Sequence, residues 1–471
     1  MSSQGQSVGG DLPVRNGCAV RQGETGLSLT NWVARCLPSG DFKRIVLKPN
    51  WVHHEVSNDF PIRALVTSVG VIEAAVDACL ERYPGVEQIM VGDVPLQSCD
   101  FERLMAQSGV ESLVKKYAHL RTPAITFRDL RRERFVMRRG FMVPSFAGAF
   151  GDPCGYREVA LDAVSQLEPI SGRGAAFGVS DFSAADLRSK QGTGRHRYLI
   201  AASVLEADLI VNLPKMKTHQ KAGITGALKN LVGCNGEKAY LAHYVKGRPC
   251  DGGDEFPPDV SWAVRMQART REGLQKRSRF LFGLLRPGWM VMKRLWGIST
   301  QGTPDNLGGR FYQAAGGWYG NDTIWRMVYD LNRIIRYAPA GGGTLAGTPQ
   351  RACVSILDGL VAGEGNGPLQ PLPVEAGVMV AAENPFLVDL AMSRLMGFDW
   401  RKIPLLKHHR EFGAEWGDFD PDAVEIWMND KRLHGVMELD PVRAFTPPPG
   451  WRGRLELDHD VGGTKKQSGP S

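Results

Sequence analysis

The chain has 471 residues, of which 43% are apolar, 23% charged and 8% aromatic, proportions that exclude wholesale disorder, a collagen-like repeat and a simple coiled coil. That length predicts two or three structural units with a sizeable core, and the 55 Gly and 29 Pro favour a loop-rich α/β protein over a helical bundle. The net charge of +7 points to an anionic partner, but residues 260–298 hold nine basic residues and one acid, so the rest of the chain, with 48 basic and 49 acidic residues, is near neutral.

In chain order, residues 1–25 are expected to be mobile. A strand over 44–48 ends at Lys48-Pro49-Asn50. Apolar residues at helical spacing predict a helix over 68–83. A strand over 88–93 ends at Asp93 and precedes a helix over 99–107. Residues 151–197 are polar and turn-rich. Strands over 198–203 and 207–214 follow, then a helix over 225–232. A strand over 353–359 and a helix over 385–396 come later, and residues 446–471 read as a disordered tail. Strand and helix alternating in this way predict an α/β fold with a parallel or mixed sheet flanked by helices. The expected layout is a first half over 26–245, a basic aromatic-rich insertion over 246–319 and a second half over 320–445.

Eight cysteines are scattered without a C-x-x-C pair, which suits reduced thiols rather than a disulfide framework. His53-His54-Glu55 lacks the i,i+4 pair of a helical metal site, and the spacing of Cys234, His243 and Cys250 matches no zinc module; no metal site is expected. The N-terminal stretch has no apolar core of signal-peptide length, and no run of about 18 apolar residues occurs. A cytoplasmic protein is expected, with peripheral membrane contact through 260–298 as an option.

Ligands of open α/β sheets gather beyond the carboxyl ends of the strands. The polar residues expected there are Lys48, Asn50, Asp93, Asn212, Lys215, Lys217, His219, Asp358, Glu364 and Asn366. The densest segment runs from Asn212 to Gly233. It reads as a strand, a cationic loop with Lys215, Lys217 and Lys221, and a helix entered through Gly223, Thr225 and Gly226, with Lys229 and Asn230 one turn on. Free N–H groups at such a helix start suit a phosphate or carboxylate. His219 among lysines is expected to stay neutral and to act as a general base or acid, with Lys217 and Lys229 beside it. The glycines of 358–368 imply a specially shaped turn or close backbone approach.

Lys48-Pro-Asn50, the strand end at Asp93, the 212–233 segment, Gly320 to Asn332 and Asp358 to Pro368 together resemble the domain of unknown function 362 family. The resemblance covers about 43–404. Some members of that family carry a ferredoxin-type iron–sulfur module, for which this chain has no matching cysteine cluster. The His, Gly-rich turn and Lys of the 212–233 segment are also similar to a stretch of the nickel-pincer lactate racemase family, which implies proton-transfer chemistry. The leading expectation is an enzyme acting on a small anionic metabolite as an isomerase, racemase or lyase. The alternatives are a redox protein with an iron–sulfur or flavin partner, and an accessory protein docking on a membrane or second subunit through 260–298. No cofactor is assigned and no specific nucleic-acid partner is expected.

Overall fold

Apolar runs with strand periodicity send alternate side chains to opposite faces, and in the computed structural model eleven such strands share one mixed sheet. The structure describes residues 11–457, apart from 13, 24, 56, 139–140, 146–147, 149, 173–175, 180–186, 263, 267, 270–313, 417–418 and 430. Most of the basic 260–298 segment therefore lies outside the described residues.

The sheet strands are β1 (Gly17–Gln22), β2 (Arg44–Pro49), β3 (Gln88–Asp93), β4 (Ala124–Asp129), β5 (Leu209–Leu213), β6 (Lys215–His219), β7 (Gly223–Ile224), β8 (Ala352–Asn366), β9 (Gln370–Ala382), β10 (Glu425–Met428) and β11 (Lys431–His434). Their spatial order is β11-β10-β1-β9-β8-β5-β2-β3-β4, with β6 joined to β8 and β7. The run β8-β5-β2-β3-β4 is parallel, whereas β9 lies antiparallel to both β1 and β8. Strands from both sides of the basic segment thus meet in one sheet.

Helices cover both faces. Ile45, Leu47, Ile89, Val91, Leu209 and Val211 pack against α1 (Leu29–Cys36), α2 (Val69–Arg82), α3 (Phe101–Ser108) and α4 (Val110–Tyr117). The intervening Val46, Met90 and Ile210 face α5 (Ala227–Asn230), α6 (Ile324–Tyr337) and α7 (Pro385–Leu395). Each such aliphatic side chain, fully buried, contributes about 1.5–3 kcal/mol. Local signals set the helix starts: Asp100 caps α3 at the Arg103 N–H, and Asn384 caps α7 at the Phe386 N–H with Pro385 in the first helical position.

Several expectations are corrected. Residues 17–22, placed in a mobile N-terminus, form β1, a buried strand between β9 and β10. The segment after 445 is not a disordered tail throughout: Trp451 is fully buried and donates through Nε1 to the Gln220 carbonyl at 2.7 Å. Residues 458–471 lie outside the described residues. The strand expected over 198–203 runs from Arg195 to Ala201 and sits in a separate three-stranded sheet with Tyr156–Ala160 and Gln191–Gly192. The Gly-rich stretch 358–366 is not a loop but the far half of β8, paired with β9. Its glycines mark close approach, since a Cβ on Gly363 would lie 2.7 Å from Pro371 Cβ and 3.1 Å from Lys217 Cβ.

Candidate functional site

From β2 the chain steps outward to β3 and β4, then returns to the other side of β2 as β5. That reversal opens a crevice beyond the carboxyl ends of β2 and β5, where such folds bind ligands. A cavity of about 300 Å³ lies there, lined by Lys48 at the end of β2 and Asn50 just after it, Asp93 to Gln97 from the end of β3 onward, Lys217, His219, Gln220 and Lys221 from β6 and just beyond it, Thr225, Lys229 and Asn230 around α5, and Lys238 and His243 further on. Eight of the residues expected at the site (Lys48, Asn50, Asp93, Lys217, His219, Thr225, Lys229 and Asn230) share this lining.

The segment expected as a cationic loop is a strand. Leu213 and Pro214 lead from β5 into β6, and β8 is long enough to pair with both. The alternation Lys215, Lys217, His219 is therefore strand periodicity, and all three side chains are buried. Lys215 does not join the cavity lining. Its Nζ donates to Asp358 at 2.8 Å, with both side chains fully inaccessible, and to Ser68 Oγ. Glu364 is turned to Arg443 and the Thr446 N–H. Asn366 reaches the lining only through its hydrogen bond with Gln220.

The helix start after Gly226 is also not an anion site. α5 has four residues, and its Ala227 and Leu228 N–H groups donate to the Asp389 carboxylate of α7 at 2.5 and 3.0 Å. Burial pushes that carboxyl up to about 7. Gly226 is required there, because a Cβ would overlap Asp389.

Four buried side chains form a directed hydrogen-bond relay. Lys217 Nζ donates to Asn50 Oδ1 (2.7 Å), Asn50 Nδ2 to Asn230 Oδ1 (2.8 Å), and Asn230 Nδ2 to Asn212 Oδ1 (2.8 Å). Asn212 Nδ2 ends the relay on Ser355 Oγ and the Ala227 carbonyl. Asn212 thus stands behind the cavity wall and fixes its inner layer. Lys217 Nζ also donates to the Leu65 carbonyl at 2.6 Å. Burial, with Lys215 nearby, holds its ammonium well below the usual lysine range.

Lys48 pairs with Asp93 at 2.7 Å, and Asp93 also accepts from the Trp51 and Val94 N–H groups. Among the described residues of the lining Asp93 is the one carboxylate, beside five lysines and two histidines. Lys229 Nζ has no hydrogen-bond or ion-pair partner among the described residues, and burial, with Lys48 and Lys238 nearby, lowers it to about 8.

The two imidazoles are set in opposite senses. His219 Nδ1 accepts from the Lys221 and Ala222 N–H groups at 3.1 and 3.2 Å, so the neutral ring carries its proton on Nε2. His243 Nδ1 lies 2.9 Å from the Leu241 carbonyl, an acceptor only, so the neutral ring carries its proton on Nδ1, and its Nε2 has no hydrogen-bond partner among the described residues. Burial, followed for His219 by Lys229 and for His243 by Lys221, holds both well below the usual histidine range. At neutral pH the other nitrogen of the neutral His219 ring is therefore a donor, and that of the neutral His243 ring an acceptor.

His243, Lys238 and Gln97 were not expected in the lining: Lys238 and His243 follow the Lys-rich segment by 5 and 10 residues, and Gln97 comes from the loop after β3. Gln97 Nε2 is buried without a hydrogen-bond partner among the described residues. Its loop is fixed by Arg131, which is bonded to Asp129 and to the carbonyls of Leu96, Gln97 and Cys99. Among the described residues no group of three or more His, Cys, Asp or Glu side chains gathers as metal ligands.

The family model described as a domain of unknown function, DUF362, matches residues 155–394, just over half of the chain. The chain belongs to the DUF362 family. The matched DUF362 region holds β5, β6, α5 and β8, hence Lys217, His219, Lys229, Asn230 and His243, while Lys48, Asn50 and Asp93 precede it. A thylakoid-associated protein of Synechocystis is 33% identical over 227 residues, 48% of this chain and 43% of its own length. The chain therefore spans less than half of that curated relative. A crystal structure of a Thermotoga maritima protein aligns over 73% of this chain and 52% of its own, at 10% identity and a TM-score of 0.30, too low to bear on the fold. Among the described residues no helix is long and apolar enough to cross a membrane.

Proposed function

We propose that this DUF362 protein is an enzyme that binds a small carboxylate- or phosphate-bearing metabolite in the cavity and moves a proton on it, as isomerases, racemases and lyases do. The observation that carries the reading is the cationic excess beside two neutral imidazoles of opposite tautomer. An anion entering the cavity offsets the mutual repulsion of Lys217, Lys229 and Lys48, and it supplies the acceptor that Gln97 Nε2 lacks. His243 Nε2 accepts a proton from carbon or oxygen, and His219 Nε2–H, with Lys217, donates to the oxyanion that develops. A fixed neutral imidazole and ammonium groups in a water-poor site stabilise such charge strongly.

The test has two arms. Calorimetry with citrate, 2-oxoglutarate and pyrophosphate is expected to show binding that His243→Ala retains. Proton NMR in deuterated water is expected to show exchange of a carbon-bound hydrogen in one of a panel of carboxylates, abolished in His243→Ala and reduced in His219→Ala. A wild-type protein that binds none of these anions and exchanges no hydrogen overturns the reading.

A second reading concerns location. The thylakoid association named for the Synechocystis relative, with the interleaved cations and aromatics of 280–296, supports attachment to an anionic membrane surface. Co-sedimentation with phosphatidylglycerol vesicles, lost on deletion of 260–298, is the expected result. Equal sedimentation of both proteins overturns it.

A further inference from the structure

We propose that Lys229 is a nucleophile whose Nζ condenses with the carbonyl carbon of a 2-oxo acid to form an imine. This deepens the proton-transfer reading and rests on it. Three of the cavity lysines are accounted for by contacts: Lys48 is paired with Asp93, Lys217 is tied to Asn50 and Leu65, and Lys221 lies over the Tyr244 ring at 5.3 Å. Lys229 is only partly buried, lines the cavity, and has no hydrogen-bond or ion-pair partner among the described residues. Neighbouring cations and burial favour its free amine, the state in which lysine attacks a carbonyl. Lys229, His219 and His243 line the same cavity.

The chemistry balances within these groups. The Nζ lone pair forms a C–N bond to the carbonyl carbon while the C=O π pair moves to oxygen. The carbonyl oxygen then leaves as water with the two amine hydrogens, and one proton from solvent converts the imine to an iminium. That cation withdraws electrons from the adjacent C–H bond, whose proton passes to His243 Nε2. The carboxylate of a 2-oxo acid uses the remaining positive charge of the cavity, and Val52, Leu96 and Leu369 offer an apolar wall to its side chain.

The full-length wild-type protein is incubated with pyruvate or 2-oxoglutarate and cyanoborohydride near neutral pH, and adducts are mapped by peptide mass spectrometry. A pKa of about 8 instead of 10.5 makes the free-amine fraction on the order of a hundredfold larger than that of an ordinary lysine. The expected result is labelling at Lys229 at roughly tenfold or more over any other lysine, absent in Lys229→Arg. Labelling spread over the surface, centred on Lys217 or Lys221, or not detected overturns the proposal. Calorimetric binding of 2-oxoglutarate by the same wild-type protein separates the two ideas. Binding without an adduct overturns the imine and leaves the anion site standing, whereas the absence of both removes both.

Discussion

Replacing Gly233 with alanine places a methyl group where the Asp93 carboxylate and Lys48 ammonium meet. An ideal Cβ at 233 overlaps Asp93 Oδ1 and falls 2.7 Å from Lys48 Nζ and 2.9 Å from Lys48 Cε. Neither side chain has room to retreat, since their side chains are 1% and 5% exposed and Asp93 is held by the Trp51 and Val94 N–H groups. The variant therefore opens the pair or displaces the Val94–Gly233 backbone hydrogen bond. Breaking a buried ion pair costs about 3–5 kcal/mol, a large part of a typical stability. Urea denaturation followed by tryptophan fluorescence is the assay, and the expected result is a lower midpoint at unchanged slope. The Asp93→Ala background supplies the control. With the carboxylate gone, alanine at 233 meets less obstruction and adds less than about 1 kcal/mol, a non-additivity expected of contacting residues. A Gly233→Ala variant within about 0.5 kcal/mol of wild type, or full additivity with Asp93→Ala, refutes the reasoning.

Three further predictions concern the same architecture. The Lys229 pKa of about 8 lies below the ordinary 10.5, so between those values the folded chain binds fewer protons than the unfolded one and stability rises with pH. A bound anion favours the ammonium form. Phosphate affinity is therefore expected to fall as pH rises through about 8, with proton uptake on binding that calorimetry in two buffers detects and Lys229→Met removes; pH-independent affinity counts against it. Asn50→Ala deprives both Lys217 Nζ and Asn230 Oδ1 of a partner, for an expected loss of about 2–6 kcal/mol at 1–3 kcal/mol per buried group, read by chemical denaturation. Trp451→Ala empties a fully buried site against Gly223 and removes the bond to the Gln220 carbonyl. Its expected cost is about 3–5 kcal/mol, and an unchanged melting temperature would mean that the C-terminal segment is not part of the folded body.

The legible features were those written in local periodicity. Continuous apolar runs within 44–49 and 88–93 and the helical spacing of 69–82 are short-range patterns, and the elements formed where they lay. The site was legible in part for the same reason: residues ending parallel strands converge at the switch point, which gathered Lys48, Asn50, Asp93 and Lys217. Misreadings arose where a run of charge was taken for a loop. Lys215 and Lys217 were expected in a cationic loop, yet their alternation with Met216 and Thr218 is a strand pattern, and buried acceptors or an ion pair hold each ammonium. Asp389 carried a comparable signal, one carboxylate within the apolar run from Phe386 to Ala391. Its partners, the N–H groups of Ala227 and Leu228, are distant in sequence.

The sequence by itself determined that this is an α/β protein with near-neutral composition outside one basic segment, and that lysines, asparagines and a histidine end its strands. Those properties follow from residue type and spacing, which act over a few positions. The tertiary structure alone decided which cations are already spent in ion pairs, which nitrogen of each imidazole carries the proton, and that His243 joins His219 in the cavity lining. Such outcomes depend on hydrogen bonds and desolvation set by the packing of elements, some far apart in the chain, and no local pattern encodes that packing.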